Sequence, residues 1–272
     1  MPRLLPRRRR TRILLAVVGV FALYLVALSA VPALLHRGDD AGARRERALR
    51  AIRAANWSLV PPEERAALAR AVDDTWRTLR TYRMRYVTGR PEDLAAGRYE
   101  TEATSAFRLD GRGRVLAQRD TSFISVASPA SGGREERIEG YRVLTTEPYL
   151  NSKGRRVANA ELIYQRALPG IWTCQRVASD RQPPPGPGLD LSQAGDAGFA
   201  DIDGHPVRGF ILPVGAFGLR SPATVWIDTE TLHLRRQETE SALPGRREVW
   251  TYSDFDAPVE VQPPAGVPCV TD

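Results

Sequence analysis

The stretch from Phe199 to Pro264 constrains the fold more than any other part of the chain. It contains three runs rich in β-branched and aromatic residues, FADIDGHPVRGFILPV, ATVWIDTETLHLRRQETES and REVWTYSDFDAPVEVQPP. Partial alternation of apolar and polar residues within the runs, with Gly and Pro clusters between them, is typical of consecutive antiparallel strands. We therefore predict a meander, in which the Asp228-Thr-Glu-Thr segment turns one strand into the next. Such a sheet has one face that must be buried.

Shorter runs upstream predict further strands of the same kind. They are Thr81–Val87, Tyr99–Leu109, Val115–Ser125 and Glu136–Thr145. The Asp110-Gly-Arg-Gly113 segment favours a tight hairpin between the second and third of these runs. The run Ala158–Leu168 has helix-like spacing of its apolar residues, and we predict a helix there, although Ile163 and Tyr164 are also acceptable in a strand.

Two helices are predicted before the first strand. Pro61-Pro62-Glu63-Glu64 places proline and acidic side chains where the first turn of a helix favours them. The apolar positions that follow recur at spacings of three and four, which predicts one buried stripe: Leu68, Ala71, Val72, Trp76 and Leu79. The Arg-rich and Ala-rich segment Ala41–Ala55 predicts a further, juxtamembrane helix within residues 36–60.

The first residues of the chain predict a membrane anchor. Residues 1–12 are strongly basic, and residues 13–35 contain no charged side chain. A run of that length exceeds the roughly 20 residues that span a bilayer and the 7 to 15 of a signal-peptide core. The positive-inside rule then places residues 1–12 in the cytoplasm and the domain of residues 61–272 outside. The alternative is a cleaved signal, since Leu28-Ser29-Ala30 offers small residues at a plausible cleavage position.

Charge excludes one class of function. The formal net charge of +7 is concentrated in the arginines of residues 1–12, so the rest of the chain is nearly neutral. A nearly neutral domain has no electrostatic reason to seek phosphate backbones, and we expect no nucleic-acid partner.

The two cysteines favour an exported domain. Cys174 and Cys269 are the only cysteines in the chain. An oxidising compartment would allow them to pair, and the alternative is two buried thiols that never meet. A bridge would hold the proline-rich tail from Pro258 to Pro268 as an extended strap against the segment Ile171–Val177. The proline-rich segment of residues 182–198 is predicted as a long loop inside one domain.

Several of these residues resemble a known family. The segment Asp203-Gly204-His205 before a strand, Val225-Trp226-Ile227-Asp228, and Thr251-Tyr252-Ser253-Asp254-Phe255 followed by Pro258-Val259 resemble motifs of the LolA/LppX-type lipoprotein carrier superfamily. The resemblance extends over residues 76–264 and is specific over residues 199–264. It implies an α+β fold, in which a strongly curved antiparallel sheet, or half-barrel, covers one to three helices and encloses an apolar cavity for acyl chains. Members of the LppX kind are anchored through a lipidated cysteine, whereas this chain has the uncharged run of residues 13–35.

Aromatic and apolar residues of the predicted helix and strands are the candidates for lining such a cavity. Singly they fit an ordinary core, and together some should line any cavity that exists, because cavity and core differ in how well the helices fill the space. The candidates are Trp76, Tyr86, Phe107, Phe123, Phe210, Leu212, Trp226, Trp250 and Phe255.

The residue types do not favour an enzyme. His36, His205 and His233 are the only histidines, and none has a second ligand at metal-binding spacing. The DIDGH segment lacks the further acidic ligands of a calcium loop, so a turn is the better interpretation. Asp254 and Asp256 would have to be buried to act as a catalytic pair of carboxylates. No serine lies in the Gly-x-Ser-x-Gly motif of a nucleophile elbow. We expect no catalytic residue, metal or cofactor.

We therefore expect a single-pass protein of the cytoplasmic membrane whose outer domain binds a lipid or another hydrophobic ligand, in envelope lipid or lipoprotein handling. The alternative from another class is a structural or sensory envelope module that binds a protein partner. A hydrolase is the third and weakest hypothesis, since no Asp, Glu or Ser is placed with a base or a metal.

Overall fold

The computed structural model describes residues 41–110, 115–126, 134–145, 147–151, 153–179, 188–214 and 221–271. The chain divides into two compact units, Met1–Arg47 and Ala48–Asp272. The predicted basic tail and anchor, residues 1–35, lie outside the described residues. Among the helices that the structure does describe, none has the length and apolar character needed to cross a membrane.

Helices are few, and strand is the commonest regular structure in the second unit. Residues 41–53 form helix α1, Trp57–Leu59 a 3-10 turn, Pro62–Thr78 helix α2 and Pro91–Ala95 helix α3. The strands are β1 (Thr81–Gly89), β2 (Thr101–Leu109), β3 (Val115–Val126), β4 (Arg134–Thr145), β5 (Tyr149–Leu150), β6 (Arg156–Val157), β7 (Ala160–Ala167), β8 (Thr173–Ala178), β9 (Gly195–Ile202), β10 (His205–Leu212), β11 (Ala223–Asp228), β12 (Leu234–Glu240), β13 (Arg247–Ser253) and β14 (Cys269–Thr271).

Twelve of these strands form one large, curved sheet that does not close. Its order is β14-β8-β7-β4-β3-β2-β1-β13-β12-β11-β10-β9, and β5 pairs with β6 in a separate ribbon. Neighbours are antiparallel except β14, which runs parallel to β8. The meander predicted at residues 199–264 is confirmed as β9 to β13, and the coarse α+β class is confirmed with it.

The prediction of a helix at residues 158–168 is wrong. This segment contains β7, which pairs with β4 on one side and with β8 on the other. Tyr164 lies opposite Tyr141 and opposite Cys174 in the two ladders. A segment held between two strands satisfies its backbone groups on both edges, and this tertiary pairing overrides the local helical spacing.

The main core lies between the first two helices and strands β10 to β12. Leu68 and Val72 of α2 and Ile52 of α1 are fully buried against Phe210 and Ile227 of the sheet. The buried stripe predicted for the second helix is thus confirmed over α2, where Pro62 occupies the first turn as expected. We call the face of the sheet on which these helices pack the inner face.

The proline-rich loop is shorter than residues 182–198, because residues 195–198 belong to β9. Leu189, Leu191 and Ala194, just before that strand, are buried in the main core. The Gly188 amide donates to Asp73 Oδ1 of α2 at 3.0 Å, which ties the end of the loop to the helix. Residues 180–187 of the loop lie outside the described residues.

The turn predicted at Asp203-Gly204 joins β9 to β10. Both residues have positive φ angles, 54° and 79°, as a two-residue type I′ hairpin turn requires. The Gly204 amide donates to Asp201 Oδ1 at 2.8 Å, so this carboxylate serves the turn. The turn predicted at residues 110–113 lies largely outside the described residues, but the pairing of β2 with β3 is observed.

The predicted disulfide is confirmed. Cys174 of β8 and Cys269 of β14 are bonded, with their Cα atoms 4.4 Å apart and 95 positions apart in sequence. β14 lies beside β8 in register, with Cys269 opposite Cys174. The tail is therefore fixed against the segment that the sequence indicated, both by the bond and by a short parallel ladder.

Candidate functional site

The inner face continues beyond the helices onto β2, β3, β4 and β7. Residues directly opposite each other in antiparallel strands share a face. The registers therefore continue the inner face in three parallel rows. The rows are Trp250, Tyr86, Ala103, Ser122 and Ile138; Tyr252, Met84, Ser105, Asp120, Gly140 and Gln165; and Tyr82, Phe107, Gln118, Arg142 and Ile163.

A half-open pocket of about 260 Å³ lies where these rows cross β2, β3, β4 and β7. Its lining residues are Ala103, Ser105, Asp120, Ser122, Gly140, Tyr141, Arg142, Ile163, Tyr164 and Gln165. The depression follows from side-chain size, because four of the inner-face positions are occupied by alanine, serine or glycine. Ligand pockets for whole small molecules measure about 300–1,000 Å³, so this pocket fits a polar group better than a complete acyl-chain ligand.

The floor of the pocket is a hydrogen-bonded carboxylate. Asp120 Oδ1 accepts from Ser105 Oγ at 2.6 Å and from Gln118 Nε2 at 2.6 Å. Ser105 is buried, so its hydroxyl is held in this arrangement. These bonds fix one carboxylate oxygen, and Oδ2 has no hydrogen-bond partner among the described residues.

Arg142 supplies the opposite charge. Its side chain lines the pocket from β4 and is half-buried. Among the described residues it makes no hydrogen bond, ion pair or ring contact, and it forms no ion pair with Asp120. The pocket thus presents a carboxylate and a guanidinium that do not neutralise each other by contact.

An aromatic strip borders this pocket on the side of β1 and β13. Tyr82 stacks on Phe107 with ring centroids 4.5 Å apart, and Trp76 of α2 meets Tyr252 edge-on at 5.3 Å. Tyr86 and Trp250 form a further tilted pair at 5.0 Å. We call these residues, together with Met84, the aromatic strip.

The phenols of the strip stay uncharged at physiological pH. Burial raises the pKa of Tyr86 to about 12, and the nearby Glu248 adds to the shift. Burial also raises the pKa of Tyr82 and of Tyr252. The strip therefore offers a neutral, largely apolar surface next to the charged pocket.

Four of the nine cavity candidates gather in this strip. They are Trp76, Tyr86, Phe107 and Trp250, and they border the pocket without lining it. Phe107 is buried, whereas the other three are half-buried and keep accessible surface.

The remaining candidates lie elsewhere. Phe210 and Leu212 are 0% exposed beneath the helices and have no surface for a ligand, because α1 and α2 fill that part of the sheet. Trp226 lies on the opposite face, where its ring covers Gly209 so closely that an added Cβ would lie 2.7 Å from it. Phe255 stacks on His233 at 4.1 Å. Phe123 belongs to β3, and its side chain lies outside the described part of the chain.

Sequence reasoning missed the polar residues of the pocket. Asp120 and Gly140 each stand in the middle of a predicted strand, where Asp and Gly are depleted. Gly within a strand often marks the close approach of a ligand or of another backbone, and here it lowers the pocket floor. The glycine at position 140 could therefore have indicated the site, but the cavity candidates predicted from the sequence were all apolar side chains.

The conspicuous motif residues outside the pocket are structural. Asp228 is 1% exposed, and its Oδ1 accepts from the amides of Glu230 and Thr231 at 2.9 Å. Arg235 donates to its other oxygen at 3.0 Å. Burial alone would raise the pKa of Asp228, but these backbone bonds and Arg235 together hold it below the usual value. The Asp228–Arg235 pair locks the turn between β11 and β12.

The acids Asp254 and Asp256 also have structural partners. Asp256 Oδ1 accepts from the Arg80 amide at 2.7 Å, and Asp254 pairs with Arg83 at 3.2 Å. Both acids are exposed and have positive φ angles in the bend after β13. Within the described residues, His, Cys, Asp and Glu form no group of three or more that could hold a metal ion.

No protein-family model and no curated protein matches the chain. Among solved structures, the chain is similar to the lipoprotein LppX of Mycobacterium tuberculosis, at 17% identity and a TM-score of 0.44, over 74% of this chain and 99% of that one. It is similar to LprF from Mycobacterium bovis at 15% identity and a TM-score of 0.45, over 75% and 98% of the two chains. It is also similar to a LolA superfamily protein from Nitrosomonas europaea at 12% identity and a TM-score of 0.21, over 71% of this chain and 94% of that one.

Proposed function

We propose that this protein binds a lipid or another hydrophobic ligand, without catalysis, on the inner face of its sheet. The observation that carries the proposal is the adjacency of the aromatic strip and the charged pocket on one face. The strip offers apolar surface to an acyl chain, and the pocket offers polar partners to the other end of the same molecule. An amphiphile can satisfy both surfaces at once, whereas a purely polar or purely apolar ligand satisfies only one.

The helices cover only part of the inner face, and this supports the proposal. Helices α1 and α2 fill the inner face over β10 to β12, where the core residues are fully buried. The pocket on β2, β3, β4 and β7 remains half open. The sheet thus combines a packed half, which stabilises it, with a half that has room for a ligand.

We propose further that residues 13–35 anchor the protein in the cytoplasmic membrane, with the sheet outside. The disulfide supports an exported domain, because such bonds persist in oxidising compartments. An anchored carrier would receive or hold its ligand beside the membrane.

Native mass spectrometry of the full-length chain, released from membranes in a mild detergent, tests the binding. We expect a protein species with one or more bound lipids that dissociate at higher collision energy, and organic extraction should recover the same lipids. Repeated preparations of folded, disulfide-bonded protein without any co-purifying hydrophobic molecule would contradict the proposal.

A protein partner is the second candidate, and one observation favours it. β9 lies at one end of the sheet and has a single neighbour, β10, among the described strands. Phe199 on β9 and Ile211 on β10 are exposed large apolar residues. An uncovered strand edge can accept a strand from another chain. Crosslinking in intact cells that yields one abundant protein adduct, from protein devoid of lipid, would favour this function.

A further inference from the structure

We infer that the inner-face pocket recognises a zwitterionic polar group, in which an anionic group and an ammonium group are joined by a short linker. This inference rests on the proposed function, since it names the chemistry of the ligand's polar end. It depends on the two charges in the pocket and on their positions in the ladder.

Arg142 is the anion-binding element. A half-buried guanidinium that has no hydrogen bond or ion pair among the described residues has its donors available to a ligand. Guanidinium binds phosphate and carboxylate through two parallel hydrogen bonds, which makes arginine well suited to such groups. Ser122 and Gln165, on the strands at either side of β4, line the same pocket and add polar atoms around that position.

Asp120 is the cation-binding element. Ser105 and Gln118 both donate to Oδ1, so they fix the orientation of the carboxylate without occupying Oδ2. A carboxylate held in this way accepts from an ammonium group without first giving up an internal partner. It also repels a ligand that carries only negative charge, which excludes a simple anion as the preferred occupant.

The pairing of β3 with β4 determines how far apart Asp120 and Arg142 lie in the sheet. Gly140 lies directly opposite Asp120, and Arg142 lies two residues further along β4. Such diagonal neighbours lie roughly 7–8 Å apart, and their Cβ atoms are somewhat closer. Because Gly140 has no side chain, the space between the two charges stays open. A phosphate and an ammonium joined by two carbon atoms bridge a gap of this size. The acyl chains, carried by a glycerol esterified to the phosphate, would extend past Gln118, which lies opposite Arg142, to Phe107 of the aromatic strip.

Competition between lipids with identical acyl chains tests the inference. Full-length protein in mild detergent is offered diacyl phosphatidylethanolamine, phosphatidylglycerol and diacylglycerol together, and bound lipid is counted by native mass spectrometry. We expect the ethanolamine lipid to be bound at least about tenfold more than either competitor, since each charge-assisted bond contributes about that factor. Soluble glycerophosphoethanolamine, added at the same concentration as the lipid, shows whether the polar group suffices without acyl chains.

Three variants separate the contributions of the two charges. Arg142→Gln removes no hydrogen bond or ion pair among the described residues and should lower binding of the ethanolamine lipid at least about tenfold, because the contact to phosphate is lost. Asp120→Asn keeps an oxygen for Ser105 and should abolish the preference over phosphatidylglycerol. Arg119→Gln removes the same charge as Arg142→Gln from the opposite face of β3 and should leave the pattern unchanged.

The possible failures are distinguishable. If the wild type binds all three lipids equally, or if Arg142→Gln changes nothing, the polar-group inference is wrong while lipid binding stands. If no lipid is bound, the proposed function itself is wrong. If glycerophosphoethanolamine displaces the lipid completely at equal concentration, the pocket serves a soluble zwitterion and the acyl chains contribute nothing.

Discussion

At the scale of single residues, one buried cation holds the helices to the sheet. Arg208 of β10 is 0% exposed, and its guanidinium donates to the Ile52 carbonyl at 3.0 Å, to the Ala54 carbonyl and to Asp196 Oδ2 at 2.7 Å. The two carbonyls lie at the C-terminal end of α1, where a positive charge is favourable. The hydrogen bond from Arg208 lowers the pKa of Asp196, so the pair stays ionised.

We expect Arg208→Met to lower the free energy of unfolding by more than about 2 kcal/mol, since each buried acceptor that loses its donor costs about 1–3 kcal/mol. Urea denaturation followed by circular dichroism measures the change. Arg83→Met is the matched control, because its ion pair with Asp254 is about half exposed and should contribute less than about 1 kcal/mol. Equal effects of the two variants would contradict the structural role of Arg208.

The Asp228–Arg235 pair predicts a pH dependence of stability. The pKa of Asp228 is lower in the folded protein than the value of about 3.9 in an unfolded chain. Its stabilisation is therefore present above pH ~4 and is lost as the pH falls through the lower folded-state pKa. We expect Asp228→Asn to cost about 1.5–3 kcal/mol at pH 7 and much less at pH 3. Denaturation at both pH values measures this, and the same loss at both would show that the charge of Asp228 does not stabilise the fold.

At the scale of elements, the sequence predicted strands where local pattern and tertiary pairing agree. The strands at Thr81, Thr101 and Val115 begin within two residues of the predicted starts. β7 was missed because its apolar residues are adjacent, as in a helix, and only pairing with β4 and β8 decides its conformation. Likewise, no local sequence pattern predicts that helices bury Phe210 completely and leave Tyr86 half-buried.

The bond between β8 and β14 predicts a stability effect without loss of fold. A loop of 95 positions corresponds to about 4–5 kcal/mol in the chain-entropy model. We expect the double variant Cys174→Ala and Cys269→Ala to lose stability of that order and to retain the far-ultraviolet spectrum of the wild type, because the other strands pair independently of β14. Reduction of the wild type should reproduce the loss. Unfolding of the double variant at room temperature would show that the sheet depends on the tail.

Close packing around Gly209 on the outer face of the sheet predicts that a larger residue there lowers stability. In Gly209→Ala the new methyl group would lie 2.7 Å from the Trp226 ring and 2.8 Å from Ala197 Cβ. We expect a loss of about 1–3 kcal/mol, as for other overpacked sites. Thermal unfolding measures this loss of stability. Gly198→Ala is the control, because an added Cβ at Gly198 meets no neighbouring atom and only the positive φ angle of Gly198 strains the backbone. A thermal midpoint unchanged in Gly209→Ala would mean that Trp226 moves freely.

At the scale of the whole molecule, the sheet is stabilised in one half and open in the other. The core of β10 to β12 with α1 and α2 is packed, while β2, β3, β4 and β7 carry the pocket. Two of the motifs that carry the family resemblance, Asp203-Gly204-His205 and Val225–Asp228, lie in the packed half, whereas the third, Thr251–Phe255, contributes Tyr252 to the aromatic strip. The sequence therefore indicated the fold but not the pocket, because the pocket arises from small and charged residues that only the pairing of four strands brings onto one face.

Comparison of two tryptophan variants tests the central claim, that the inner face binds a lipid. Ala103 borders the pocket on the inner face of β2, and Ala106 lies on the outer face of the same strand, opposite Arg83 and Arg119. Both positions are half-buried, so the same change of volume is introduced on each side of one strand. Lipid bound to the full-length chain is counted by native mass spectrometry for variants with wild-type far-ultraviolet spectra. We expect Ala103→Trp to lose at least about nine-tenths of the bound lipid, a tenfold loss of affinity, while Ala106→Trp retains it. Equal lipid in both variants would show that the inner face does not bind the ligand.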